Sequence, residues 1–141
     1  MNLIISGLCD ACEYVPKDRT YAIRLESPKY PFDGESYNLT KSGLWVVVHT
    51  YSFDDRNPSF GEGKLFKRDI AQKIISDFEE KFLETDSLLV HCTLGRNRSP
   101  AVGIALNNLF NLGNNSEDLM EEFPDFNKYV YGTLMSVGRK K

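Results

Sequence analysis

Ser87-Leu88-Leu89-Val90-His91-Cys92-Thr93-Leu94-Gly95-Arg96-Asn97-Arg98-Ser99-Pro100 decides the architecture. Its first five residues, with the apolar run Leu88-Leu89-Val90 at their centre, have the length and pattern of a buried strand. A Gly-containing turn follows over 94–98. Ser99 suits the cap of a helix and Pro100 its first position. The pattern carries that helix to about Leu109, with Gly113 ending it. A strand, a tight loop and a helix N-terminus in this order aim backbone N–H groups at one spot, which makes an anion site. Cys92 opens the loop. A thiol facing a helix N-terminus, a nest of amides and a guanidinium is favoured as the thiolate. Arg98 offers a planar fork that can hold two phosphate oxygens at once. Ser99 can donate to the sulfur and stabilise it as a leaving group.

Outward from this loop, the periodicity predicts strands over 3–6, 20–25 and 44–51, with one or two helical turns over 7–14. The run Leu44-Trp45-Val46-Val47-Val48 is apolar throughout and predicts a central strand covered on both faces. Breakers at Pro28, Pro31, Gly34 and Gly43 make 26–43 a long loop, and 52–63 a second one. Phe66, Ile70, Ile74, Phe78 and Phe82 recur at helical spacing over 64–83. Two further helices are predicted over 117–123 and 127–137, separated by Pro124. Strands joined through helices favour parallel pairing. The expected fold is α/β: a small, mostly parallel sheet of four to five strands flanked by helices, in a single domain over 1–141.

The chain has 141 residues, of which 41% are hydrophobic and 26% charged, as in globular domains. A net charge of −3 speaks against a broad nucleic-acid surface, which needs a basic face. No apolar run approaches the ~20 residues of a membrane span. Three cysteines do not suggest a secreted disulfide framework, so the expected compartment is the cytoplasm.

His91-Cys92-x-x-Gly95-x-x-Arg98-Ser99 is a Cys-x5-Arg loop and resembles the signature of the cysteine-based protein tyrosine phosphatases. Pro100-Ala101-Val102 extends the likeness to the dual-specificity branch and to small bacterial or phage tyrosine-phosphatase-like proteins. The stretch from Tyr21 to Pro28 looks like that family's second strand, and Tyr51-Ser52-Phe53-Asp54-Asp55 like its acid-bearing segment. The resemblance implies a phosphatase that hydrolyses phosphomonoesters through a phosphocysteine intermediate, with no metal or other cofactor. Cys92 would be the nucleophile. Arg98 would bind the phosphoryl oxygens together with the loop residues Thr93, Leu94, Gly95, Arg96 and Asn97. His91 would help set the thiol and the loop geometry, and Ser99 would help expel the thiolate. Asp55, or Asp54 beside it, would be the general acid. The implied partner is a phosphorylated substrate, above all a phosphoprotein. The oligomeric state is left open.

Two departures from the family pattern frame the alternatives. Arg56 stands where relatives often carry an apolar residue, and 58–61 suggests a longer acid loop. A failed acid would leave a phosphate-binding module without turnover. Arg96 resembles the loop variant that meets extra phosphate, which would suit a polyanionic substrate such as a phosphoinositide or an RNA 5′ phosphate. Cys9 and Cys12 form a Cys-x-x-Cys with no second pair, and are read as small core residues, with a resolving role toward an oxidised Cys92 as the alternative. His49 is read as a core residue and Trp45 as core or pocket wall. One of Tyr30, Phe32 and Tyr37 is expected to line the cleft.

Overall fold

The computed structural model describes residues 1–55 and 64–139. Four strands, β1 (Asn2–Ser6), β2 (Thr20–Glu26), β3 (Trp45–Ser52) and β4 (Ser87–His91), pair in the order β1-β4-β2-β3, every pair parallel. Helices α1 (Leu8–Glu13), α2 (Arg68–Lys81), α3 (Arg98–Phe110), α4 (Ser116–Glu122) and α5 (Lys128–Arg139) flank the sheet. The architecture is therefore the expected α/β one, with four strands among the described residues. None of the helices among the described residues is long and apolar enough to cross a membrane.

β4 and β2 are the inner strands, and all five residues of β4 are buried. Leu88 and Val90 join Tyr21, Ile23 and Leu25 of β2 in one apolar cluster with Ile74 and Phe78 of α2, Ala105 of α3 and Leu134 of α5. Phe78 meets Tyr21 edge-on at 5.1 Å and Phe110 at 5.0 Å. The strand positions that alternate with these, Ala22, Arg24 and His91, are buried on the other side. There the chain supplies α1 and a turn at Glu35–Tyr37.

The valine run is not a central strand. β3 lies at the sheet edge, with Val46 39% and Val48 46% exposed while Val47 and Tyr51 turn inward. β-branched residues suit an edge as well as a centre. The crossover through α2 and β4, not the composition of β3, sets the strand order. His49 and Trp45 are half-buried on this edge strand, and the Trp45 indole N–H donates to Thr40 O at 2.7 Å.

Two helix boundaries also differ from expectation. α3 starts at Arg98, with Asn97 in the cap position, so Ser99 lies inside the helix. Its left-handed end is Asn111 (φ 53°), two residues before Gly113. The cysteine pair of α1 is not core either. Cys9 is exposed and Cys12 half-buried, and Ala11 is the residue that α1 buries.

Candidate active site

The carboxyl ends of parallel strands gather the site, as open α/β sheets generally do. Ser6, Arg24 and His91 are register partners across β1, β4 and β2. The chain leaves β4 at His91 and returns as α3 at Arg98, so the loop between them is clasped by the end of β1. Cys92 N–H donates to Ser6 O at 3.3 Å, and Leu8 N–H donates to Thr93 O at 3.0 Å. Gly95 makes this closeness possible. Its φ is +76°, and a Cβ there would stand 2.5 Å from Gly7 N and 2.6 Å from the Ser6 carbonyl carbon. No side chain fits that gap.

Inside the loop, donors converge on sulfur. Gly95 N–H donates to Cys92 Sγ at 3.2 Å, and Ser99 Oγ lies 3.2 Å from the same atom. Ser99 Oγ also lies 3.2 Å from Ser6 O, so its one proton turns to Ser6 O or to the sulfur, one at a time. The hydroxyl expected to cap the helix thus faces the cysteine, which is why Ser99 sits one residue inside α3. Cys92 itself is 2% exposed.

Arg98 is buried at the first position of α3. Its Nη1 donates to Phe53 O at 2.8 Å and to Ser27 Oγ at 3.0 Å, and its Nη2 reaches Thr93 Oγ1 at 3.4 Å. One guanidinium therefore joins the 92–98 loop, the residue after β2 and the segment that carries Asp54 and Asp55.

The two aspartates part company. Asp54 pairs with Lys64 by both backbone and side chain: its N–H donates to Lys64 O at 2.7 Å, and its Oδ2 accepts from Lys64 N–H at 2.8 Å. Asp55 is exposed, and its Oδ1 accepts from Asn127 Nδ2 at 2.6 Å. It lines a cavity of about 680 Å³ with Leu94, Arg96, Asn97 and Lys128 among others. Arg96 thus shares a cavity with Lys128, but also with Asp55 and Asp125. Arg56 and the 58–61 stretch lie outside the described residues.

On the other side of the loop, Tyr30, Phe32 and Tyr37 all line a smaller cavity of about 330 Å³ with Leu8, Pro31 and Thr93. Phe32 reaches deepest. Its ring centroid is 5.1 Å from that of His91 and 5.1 Å from the Arg24 guanidinium.

His91 is fully buried, with Nδ1 3.2 Å from Cys92 O and Nε2 accepting from Arg24 Nε–H at 2.9 Å. Burial pushes its pKa down to about 4, against the pull of the Cys92 carbonyl and with the help of the Arg24 charge. The ring is therefore neutral around pH 7. A neutral ring carries no positive charge toward the sulfur, and its contact with the loop is the one to the Cys92 carbonyl.

Two site residues escaped the sequence reading. Arg24 had a signal, being a charge inside the apolar strand Tyr21-Ala22-Ile23-Arg24-Leu25. Asn127 had none, since an Asn before a helix is an ordinary cap. Here its Oδ1 does cap α5, accepting from Val130 N–H at 3.0 Å, while its Nδ2 holds Asp55 and its N–H donates to Asn97 O at 2.9 Å.

No protein-family model matches the chain, and no curated protein matches it in sequence. Solved structures do match in fold. Tk-PTP in its active form aligns with 100% of this chain and 94% of its own at 18% identity, with a TM-score of 0.56. The human tyrosine phosphatase-like serine/threonine/tyrosine-interacting protein aligns over 99% and 92% at 15% identity, with a TM-score of 0.63. PTPMT1 aligns over 99% and 90% at 12% identity, with a TM-score of 0.55. Strand order, loop and likeness agree, and the chain has the fold of the cysteine-based tyrosine and dual-specificity phosphatases.

Proposed function

We propose that this protein is a cysteine-dependent phosphomonoesterase of the tyrosine or dual-specificity type, acting on phosphoproteins in the cytoplasm. The observation that carries the reading is the convergence of the Gly95 N–H and the Ser99 hydroxyl on Cys92 Sγ, at the mouth of a helix whose first residue is the buried Arg98. Such donors stabilise negative charge on sulfur and then on a phosphoryl group seated above it.

The reaction follows from the side chains. The substrate phosphate docks on the backbone N–H groups of Thr93 to Arg98 and on the Arg98 fork. Cys92 Sγ attacks phosphorus in line and forms the S–P bond as the ester P–O bond breaks. Asp55 gives its proton to the departing oxygen. Water then attacks phosphorus with Asp55 taking its proton, and the Ser99 hydroxyl stabilises the thiolate that leaves. Asp55 is preferred to Asp54 because its carboxylate lines the cavity beside the loop, whereas that of Asp54 is bound to the Lys64 amide. The aromatic walls at Tyr30, Phe32 and Tyr37 suit the ring of a phosphotyrosine.

Hydrolysis of an aryl phosphate in the presence of a chelator tests the reading. The wild type is expected to turn over. Cys92→Ser is expected to lose on the order of 10⁴-fold in kcat. A folded wild type without turnover, or a serine variant with full activity, would overturn it.

A further inference from the structure

Arg24 is the one charged residue of the buried stretch 20–25, and it is only 7% exposed. A guanidinium stays protonated and has no acceptor, so it can only donate. Its 2.9 Å bond to His91 Nε2 therefore needs a lone pair on Nε2. The ring proton then belongs on Nδ1, and Nδ1 lies 3.2 Å from the Cys92 carbonyl, which can only accept. Two independent neighbours thus select the same neutral tautomer.

The same guanidinium reaches the cleft wall. Its Nη2 donates to Tyr37 O, and Phe32 covers both the guanidinium and the His91 ring. Glu26 Oε1 accepts from Phe32 N–H at 3.0 Å and fixes that ring's backbone. The titratable and charged groups around the pair are Cys92 from the loop, Glu26 from β2 and Cys12 from α1, whose Sγ donates to the same Tyr37 carbonyl at 3.4 Å.

We propose that Arg24 is a positioning residue for the cysteine chemistry: it holds His91 in the Nδ1–H form, so that the ring grips the Cys92 carbonyl and sets the first turn of the phosphate loop, and it ties that turn to the aromatic wall at Phe32 and Tyr37. The proposal rests on the phosphatase reading above. The peptide plane after Cys92 determines where Sγ points, and a misplacement of about 1 Å in such a group costs on the order of 10²-fold in rate.

The test pairs a spectrum with kinetics. The chain has two histidines, and His49→Gln assigns the imidazole ¹⁵N signals. The wild-type His91 ring is expected to show a protonated Nδ1 and a bare Nε2, unchanged down to about pH 5.5. In Arg24→Met the Nε2–H form or the imidazolium appears within that range, and kcat on an aryl phosphate falls on the order of 10²-fold while KM moves far less. Arg24→Lys, which restores a cation and an N–H donor, recovers part of both. A wild-type ring protonated at Nε2 overturns the proposal, as does a methionine variant with unchanged spectrum and kcat. Should the methionine variant not fold, the wild-type spectrum and the lysine variant's kcat decide. The spectrum needs no substrate. A bare Nε2 in a protein that hydrolyses no phosphomonoester overturns the phosphatase reading and leaves the Arg24–His91 lock standing. An active enzyme with Nε2–H does the reverse.

Discussion

Asp54 and Asp55 are neighbours in sequence, and nothing in their residue type separates them. The backbone does. Asp54 is hydrogen-bonded twice to Lys64, by its backbone and by its carboxylate. Asp55 is turned to the cavity and held, among the described residues, by the side-chain donor Asn127 Nδ2. An acid that must reach a departing oxygen needs the second arrangement. Asp55→Asn is therefore expected to lower kcat by on the order of 10²- to 10³-fold for an ester with a poor leaving group, and much less for a nitrophenyl ester, whose phenoxide departs without a proton. Asp54→Asn is expected to cost about 1 kcal/mol of stability through the weakened bond to the Lys64 amide, with the leaving-group dependence kept. Rates on a series of aryl phosphates read the difference, and a dependence that steepens in Asp54→Asn but not in Asp55→Asn would move the acid to Asp54. The family-like pattern favoured Asp55 with Asp54 close behind, and the structural difference between them, the bond to Asn127, comes from a partner 72 positions away that the pattern does not show.

At the scale of elements, the N-terminus of α5 is a latch. Asn127 caps the helix with its oxygen and holds Asp55 with its nitrogen, so the two jobs fix the amide's orientation between them. Asn127→Ala is expected to lower stability by about 1 kcal/mol, as lost caps do, and to lower kcat as well. Asn127→Asp keeps a capping oxygen but sets a like charge opposite Asp55. Its stability in urea unfolding should stay close to wild type while kcat falls, and an unchanged kcat would show that Asn127 serves only the helix. Elements were legible where one local signal dominates. β4 announced itself by the apolar run Leu88-Leu89-Val90 before the loop, and α2 by its spaced aromatics. β3 was misplaced because strand order is a property of the crossovers. The start of α3 was misplaced by one residue because Ser99 answers to Cys92 Sγ and Ser6 O, neither of which a capping rule sees.

At the scale of the molecule, the sheet separates an apolar cluster under α2, α3 and α5 from a polar pair, Arg24 and His91, sealed on the opposite side. The nine residues from His91 to Ser99 carry the resemblance on which the proposed chemistry rests, but the groups that brace them come from β2, 67 positions away, and from the start of α5. Burying that histidine couples the whole fold to pH. Unfolding returns the ring from a pKa of about 4 to its ordinary 6.5. Between these values the unfolded chain binds more protons than the folded one, so stability rises with pH there. The His91 contribution is complete above about pH 6.5 and is lost progressively as pH falls toward 4, by on the order of 3 kcal/mol at the limit. Urea unfolding at about pH 7 and about pH 4.5 measures it, with His91→Gln as the reference that cancels the carboxylates common to both proteins. The wild type is expected to lose more stability than the glutamine variant over that interval. Equal losses would mean that the folded ring titrates at its ordinary value, and that Arg24 and the surrounding burial do not hold it neutral.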